Sequence, residues 1–197
     1  MTNTNTQKSK YPKKHIENYM QEDKKLAEAI LEAFSKLYIY DEYLISNEPE
    51  DNNDTIGLNH HVGERAIVFR FAYYLQKILD EKCLYSDYYL DCEYNRNGIN
   101  PKFIEKLNKN VYPDLIIHKR GENSSEKEPR NNLLIMEFKT YWGKNQDEDI
   151  KKINAFLDKN ENYKYRYGIA VLIEKNKVNL KLLEKENKIF EDNKTYR

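Results

Sequence analysis

The chain has 197 residues, of which 34% are charged and only 39% hydrophobic, yet 17 Tyr and 7 Phe supply the bulky packing groups that disordered chains lack, so one folded domain with a heavily solvated surface is expected. Its 33 basic and 33 acidic side chains cancel, which excludes a whole-surface electrostatic grip on nucleic acid and leaves that task to local basic surface. Apolar runs such as Leu133 to Met136 are far shorter than the ~20 residues of a membrane span, the polar start has no apolar leader core, and Cys83 and Cys92 have no CxxC spacing, so a cytoplasmic protein with no membrane partner is expected.

Residues 1 to 15, with Lys8, Lys10, Lys13 and Lys14, read as a flexible basic arm, and residues 16 to 197 as a single domain. From Ile16 to about Leu44, the residues Leu26, Ala29, Ile30, Ala33, Phe34 and Leu37 recur at three- and four-residue steps and predict an amphipathic accessory helix. Pro, Gly, Asn and acids over 46 to 60 predict an exposed loop. A second helix is predicted from about Val62 to Lys82, with Ile67, Val68, Phe71, Leu75, Ile78 and Leu79 on one side. A tyrosine-rich strand over 87 to 95, closed by a turn at Asn97-Gly98, and a short helix over Pro101 to Lys109 follow.

Val111 to His118 and Leu133 to Thr140 read as two strands of an antiparallel hairpin with a long tip, and Asp147 to Leu157 as a helix packed on the sheet. Arg166 to Glu174 is a continuous apolar run of strand length, consistent with burial on both faces. Val178 to Leu183 is either an edge strand or the start of a final helix. The element order predicts an α/β domain with a mixed central sheet flanked by helices.

Three patterns carry chemistry: Glu64 in the second helix, Pro113-Asp114 at the start of one strand, and Glu137-Phe138-Lys139 at the end of the next. Acid-x-Lys triplets abound in this chain, but this one follows four consecutive apolar residues on a predicted buried strand. Period-two alternation projects Glu137 and Lys139 from one face and Phe138 from the other. An antiparallel register that sets Asp114 opposite Glu137 would hold two carboxylates ~4.5 to 5.5 Å apart at Cβ, a repulsion that a divalent cation would relieve. Glu64 falls on the core-facing stripe with Phe71 and Leu75, where a favourable contact with the helix dipole is the alternative to a metal-site role.

In this order, the elements and motifs over about residues 60 to 175 resemble the PD-(D/E)XK nuclease superfamily, the restriction-endonuclease-like fold with its αβββαβ core. The resemblance implies a Mg²⁺-dependent nuclease, with Mn²⁺ as a possible substitute. Asp114, Glu137 and the main-chain carbonyl of Phe138 would bind the metal, Lys139 would position or help activate the attacking water, and Glu64 would match the acid that many members place on the first core helix. DNA is the implied partner, with RNA and a homodimeric assembly left open. The N-terminal helical extension and the long tip, Lys119 to Asn132, depart from the minimal core.

Lysine beside two carboxylates should stay protonated and act as a donor. Asp149 and Lys152 read as a solvated pair one helical turn apart, with contact to substrate or support of Lys139 as the alternative. Tyr163 to Tyr167 alternates aromatic and basic residues, which suits either an edge strand with a wet tyrosine face or base stacking. His60 and His61 are read as ordinary loop histidines with no third ligand, and the cysteines as packing thiols. A catalytically inactive fold of the same kind, serving as a nucleic-acid or protein interaction module, is the alternative to an enzyme.

Overall fold

The computed structural model describes residues 11–46, 61–97, 99–120, 131–143, 145–185 and 188–196. Helices α1 (Ile16–Tyr19), α2 (Lys24–Tyr40), α3 (Glu64–Glu81) and α4 (Asp147–Leu157) flank a six-stranded mixed sheet. Its strands are β1 (Tyr89–Cys92), β6 (Leu115–His118), β7 (Asn132–Thr140), β8 (Tyr167–Ile173), β9 (Lys177–Glu184) and β10 (Lys188–Thr195), adjacent in that order. Between β1 and β6 lie two minimal hairpins, β2 (Arg96–Asn97) with β3 (Asn100–Pro101) and β4 (Phe103–Ile104) with β5 (Lys109–Asn110). Strands β7 and β8 are parallel and joined through α4, while every other neighbouring pair in the large sheet is antiparallel. Among the described residues no helix is long and apolar enough to cross a membrane.

The apolar alternation of β7 separates two cores. Leu134, Met136 and Phe138 face α2 and α3, where Phe71 stands 4.3 Å from Phe34 and 5.2 Å from Phe138 between ring centroids. Ile135 faces the opposite way, toward Ile153, Phe156 and Leu157 of α4. The helix stripes therefore cover both sheet faces, which is why β7 and β8 read as nearly unbroken apolar runs.

The predicted accessory helix is broken. Met20 adopts φ −101°, ψ 46°, and a single 3₁₀ turn at Gln21–Asp23 separates α1 from α2. The break turns Asp23 toward the Tyr85 and Tyr167 hydroxyls, at 2.7 and 2.9 Å, and the Arg166 guanidinium at 2.9 Å, contacts that compete with helix continuation. Residues 1–10 of the expected basic arm lie outside the described residues. The next stretch pairs with β10, where Lys14 N–H donates to Glu191 O and Glu191 N–H to Pro12 O.

The helix predicted over Pro101 to Lys109 is replaced by the two short hairpins, with one 3₁₀ turn at Glu105–Leu107. Asn108 holds a left-handed φ of 48°, and the fully buried Lys102 places its ammonium about 5 Å from the Tyr94 and Tyr163 rings, so local turn chemistry and cation–π packing override helical periodicity. Val178 to Leu183 is a strand, β9, but it is interior. The polar β10, with only Ile189 and Phe190 as apolar residues, forms the edge outside it.

Tyr163, Tyr165 and Tyr167 present neither a wet face nor a stacking platform. All three are buried, with Tyr163 and Tyr165 against Phe156 and Tyr167 against Tyr19. Cys83 and Cys92 are exposed free thiols, not packing groups.

Candidate active site

The expected hairpin register is present. Leu115 pairs with Met136, Ile116 with Ile135 and Ile117 with Leu134, which sets Asp114 opposite Glu137 one step beyond the ladder. Pro113, opposite Phe138 in this register, has no N–H to donate, and β6 begins only at Leu115. The Asp114 carboxylate takes the place of a ladder acceptor: its Oδ2 accepts the Phe138 N–H at 2.7 Å. Strand pairing thus delivers one acid to the end of β7 by its side chain.

Glu137 lies on the α4 side of β7 and is only 1% exposed. Its Oε2 accepts from the Lys152 ammonium at 2.5 Å, while Oε1 is buried without a hydrogen-bond partner. Burial, followed by the nearby Asp114 charge, pushes the Glu137 carboxyl well above the usual carboxylate range. Lys152 also donates to the Tyr112 carbonyl at 3.1 Å.

Glu64 is the first residue of α3. It accepts from Lys139 Nζ at 3.0 Å and from the Thr140 N–H at 3.3 Å, so it fastens the N-terminus of α3 to the end of β7. Asp149 of α4 approaches the same ammonium at 3.5 Å, and Lys139 also donates to the Phe138 carbonyl at 3.2 Å. Burial alone would lower the Lys139 pKa, but Glu64, Asp149 and Asp114 outweigh it and hold the ammonium above its ordinary value. Burial raises both Glu64 and Asp149, against the pull of their lysine partners.

Asp149 and Lys152 are therefore not a solvated pair. Asp149 is buried, and each residue reaches a different member of the strand motif. Their position carried a signal, since Asp149 lies four residues before Ile153 and Lys152 four before Phe156, at helical steps from the face that α4 buries. What could not be read was that this stripe passes beside Glu137 and Lys139 before it reaches the apolar core.

The structure thus brings Glu64, Asp114, Glu137, Phe138 and Lys139 into one neighbourhood at the end of β7, and adds Asp149 and Lys152 from α4. A cleft of about 240 Å³ adjoins it, lined by Glu64, Arg65, Val68, Cys92, Glu93 and Asp114. The carboxylates are interleaved with lysines and not closed into a cage: no three of them bring oxygens within 4.8 Å of one another. Among the described residues, the group whose ligand atoms come that close is His15, through a ring nitrogen, with Glu17 and Asp192. There the Lys194 ammonium stands 3.3 Å from Asp192 and 3.7 Å from Glu17, so a cation of the protein's own already balances the acids. His61 stacks on Trp142 at 4.4 Å, and His60 lies outside the described residues.

The cluster suits a divalent cation on chemical grounds. Four carboxylates against two ammonium groups leave two formal negative charges. A buried carboxylate oxygen without a partner is a costly group for which a hard cation is the natural complement.

No protein-family model matches the sequence, and no curated protein matches it.

Proposed function

We propose that the protein is a metal-dependent nuclease with a restriction-endonuclease-like core, hydrolysing phosphodiester bonds in DNA. The observation that carries this reading is the Glu137 carboxylate, desolvated on an interior strand, repelled by Asp114 and left with one buried oxygen that no donor meets. A group in that condition lowers stability unless something binds it. Asp114, Glu137 and the Phe138 carbonyl would hold Mg²⁺ or Mn²⁺, the small number of protein oxygens that Mg²⁺ ordinarily takes alongside water. Such an ion, when bound, supplies a Lewis acid for the phosphate and lowers the pKa of bound water.

The remaining work falls to the chain's own side chains. Lys139, kept protonated by Glu64 and Asp149, serves as a hydrogen-bond donor to water or phosphate and not as a proton acceptor. Glu64 acts through Lys139, since both of its oxygens are engaged by the ammonium and the Thr140 N–H. The adjoining cleft is lined by the acids Glu64, Glu93 and Asp114 and by Arg65, which pairs with Glu93 at 2.5 Å, so a phosphate there would meet an acidic wall that a bound cation would have to offset.

The decisive experiment incubates purified protein with labelled single-stranded, duplex and branched DNA and with RNA, in Mg²⁺, Mn²⁺ or EDTA. Cleavage that requires the cation and disappears in both Asp114→Ala and Lys139→Ala, with circular dichroism unchanged, is expected. Undiminished cleavage by both variants would remove the catalytic assignment. DNA binding without any divalent-ion titration would point to an inactive interaction module.

A further inference from the structure

The strand motif accounts for Asp114, Glu137 and Lys139, but it leaves α4 without a role, although two of its charged side chains point at the motif. Lys152 is a long cation drawn out of solvent, at 18% side-chain exposure, to meet a carboxylate that is itself 1% exposed. Ordering such a side chain costs rotamer entropy, so an ion pair of this kind persists where the geometry fixes both groups. Here it does. The Tyr112 carbonyl takes a second proton of the ammonium, and Tyr112 stands two residues before Asp114 on the segment entering β6.

We propose that Lys152 is a positioning residue of the candidate metal site, acting through Glu137: it fixes Oε2, aims Oε1 as the oxygen left for the cation, and ties the β6 approach to β7. This inference rests on the metal-dependent reading above and deepens it. The two lysines then divide the site. Lys139 faces Glu64, Asp149 and the reacting groups, while Lys152 holds the ligand. Lysine suits this second task because its compact ammonium can serve a carboxylate oxygen and a carbonyl at once with protons to spare.

Two simpler roles make different predictions. A lysine that only stabilises the fold would affect melting and leave metal affinity alone. A lysine that only competes with the cation for Glu137 would, when removed, tighten metal binding. A residue that orients a ligand, by contrast, typically costs 10–100-fold in metal affinity when replaced.

The test titrates Mn²⁺ alone into full-length wild type, Lys152→Met and Lys152→Arg by isothermal calorimetry, with circular dichroism to establish folding. The expected result is about 10–100-fold weaker binding by Lys152→Met and recovery by Lys152→Arg to within about threefold of wild type. Affinity in Lys152→Met equal to or tighter than wild type overturns the positioning role while leaving the metal site standing. A wild-type protein that binds no Mn²⁺ overturns both. Should Lys152→Met fail to fold, Lys152→Ala, which also removes the donor to Oε2, is titrated instead and is judged by the same two results.

Discussion

Asp114 is where the demands of folding and of the proposed cation site part. Its charge raises the proton affinity of Glu64, Glu137 and Asp149 alike, and its own Oδ2 is held by the Phe138 N–H. Asp114→Asn keeps an oxygen for that bond and removes the like charge. The metal-free variant is therefore expected to gain about 1 kcal/mol of stability, an increase of about 2–4 °C in Tm, while losing cation binding. Differential scanning calorimetry in EDTA checks it, and a lower Tm would mean that the charge was stabilising. Asp149→Asn makes the complementary change. It removes one of the anions holding the Lys139 ammonium, so the proposed cleavage should fall about 10–100-fold with unchanged circular dichroism. At this scale, the strand motif and Glu64 were legible from period-two and helical spacing. The partners of Glu137 and Lys139 were not, because Asp149 and Lys152 resemble the many other acid and lysine pairs of a chain that is 34% charged.

At the scale of elements, α4 spans the predicted Asp147–Leu157, and β7 ends at the predicted Thr140 but begins one residue earlier, at the polar Asn132. The short hairpins between β1 and β6 were not readable, since strands of two residues carry no period to detect. The polar edge strand β10 escaped for a related reason: edges are kept hydrophilic, so their composition resembles a loop. The seating of α4 on β8 depends on one close approach. At Gly168 an added methyl would run into Ile153 Cγ2 and meet Leu157 Cδ1 at 3.0 Å. Gly168→Ala should cost about 1–3 kcal/mol through overpacking. Because the helix so displaced carries Asp149 and Lys152, Mn²⁺ affinity should fall together with Tm. Calorimetry and thermal melts on the same preparation test the coupling, and a Tm loss with wild-type affinity would separate the core from the site.

Across the whole molecule, tyrosine makes up a large part of a low hydrophobic fraction, and this gives the fold a pH limit. The Tyr19 hydroxyl donates to the Leu183 carbonyl at 2.6 Å, Tyr38 lies 2.6 Å from the Lys177 carbonyl, and Tyr167 donates to Asp23 at 2.9 Å, so these phenols tie the N-terminal helical region to the sheet. Burial raises the pKa of all three above the ordinary phenol value, and for Tyr167 the Asp23 charge adds to the effect. In the unfolded chain, tyrosine releases its proton near about pH 10. Below that value both states are protonated and the stabilisation is complete. Above it the unfolded state loses protons that the folded state still holds, so stability falls by about 1.4 kcal/mol per pH unit for each such tyrosine. Three together would remove about 4 kcal/mol per unit, against a typical total of about 5–15 kcal/mol, and cooperative unfolding is expected within about one to four units above pH 10. Tyrosinate absorbance at 295 nm should therefore rise in step with loss of the far-ultraviolet circular dichroism signal. A smooth titration of every tyrosine near pH 10 with the helical signal intact would mean that these hydroxyls do not join the helices to the sheet.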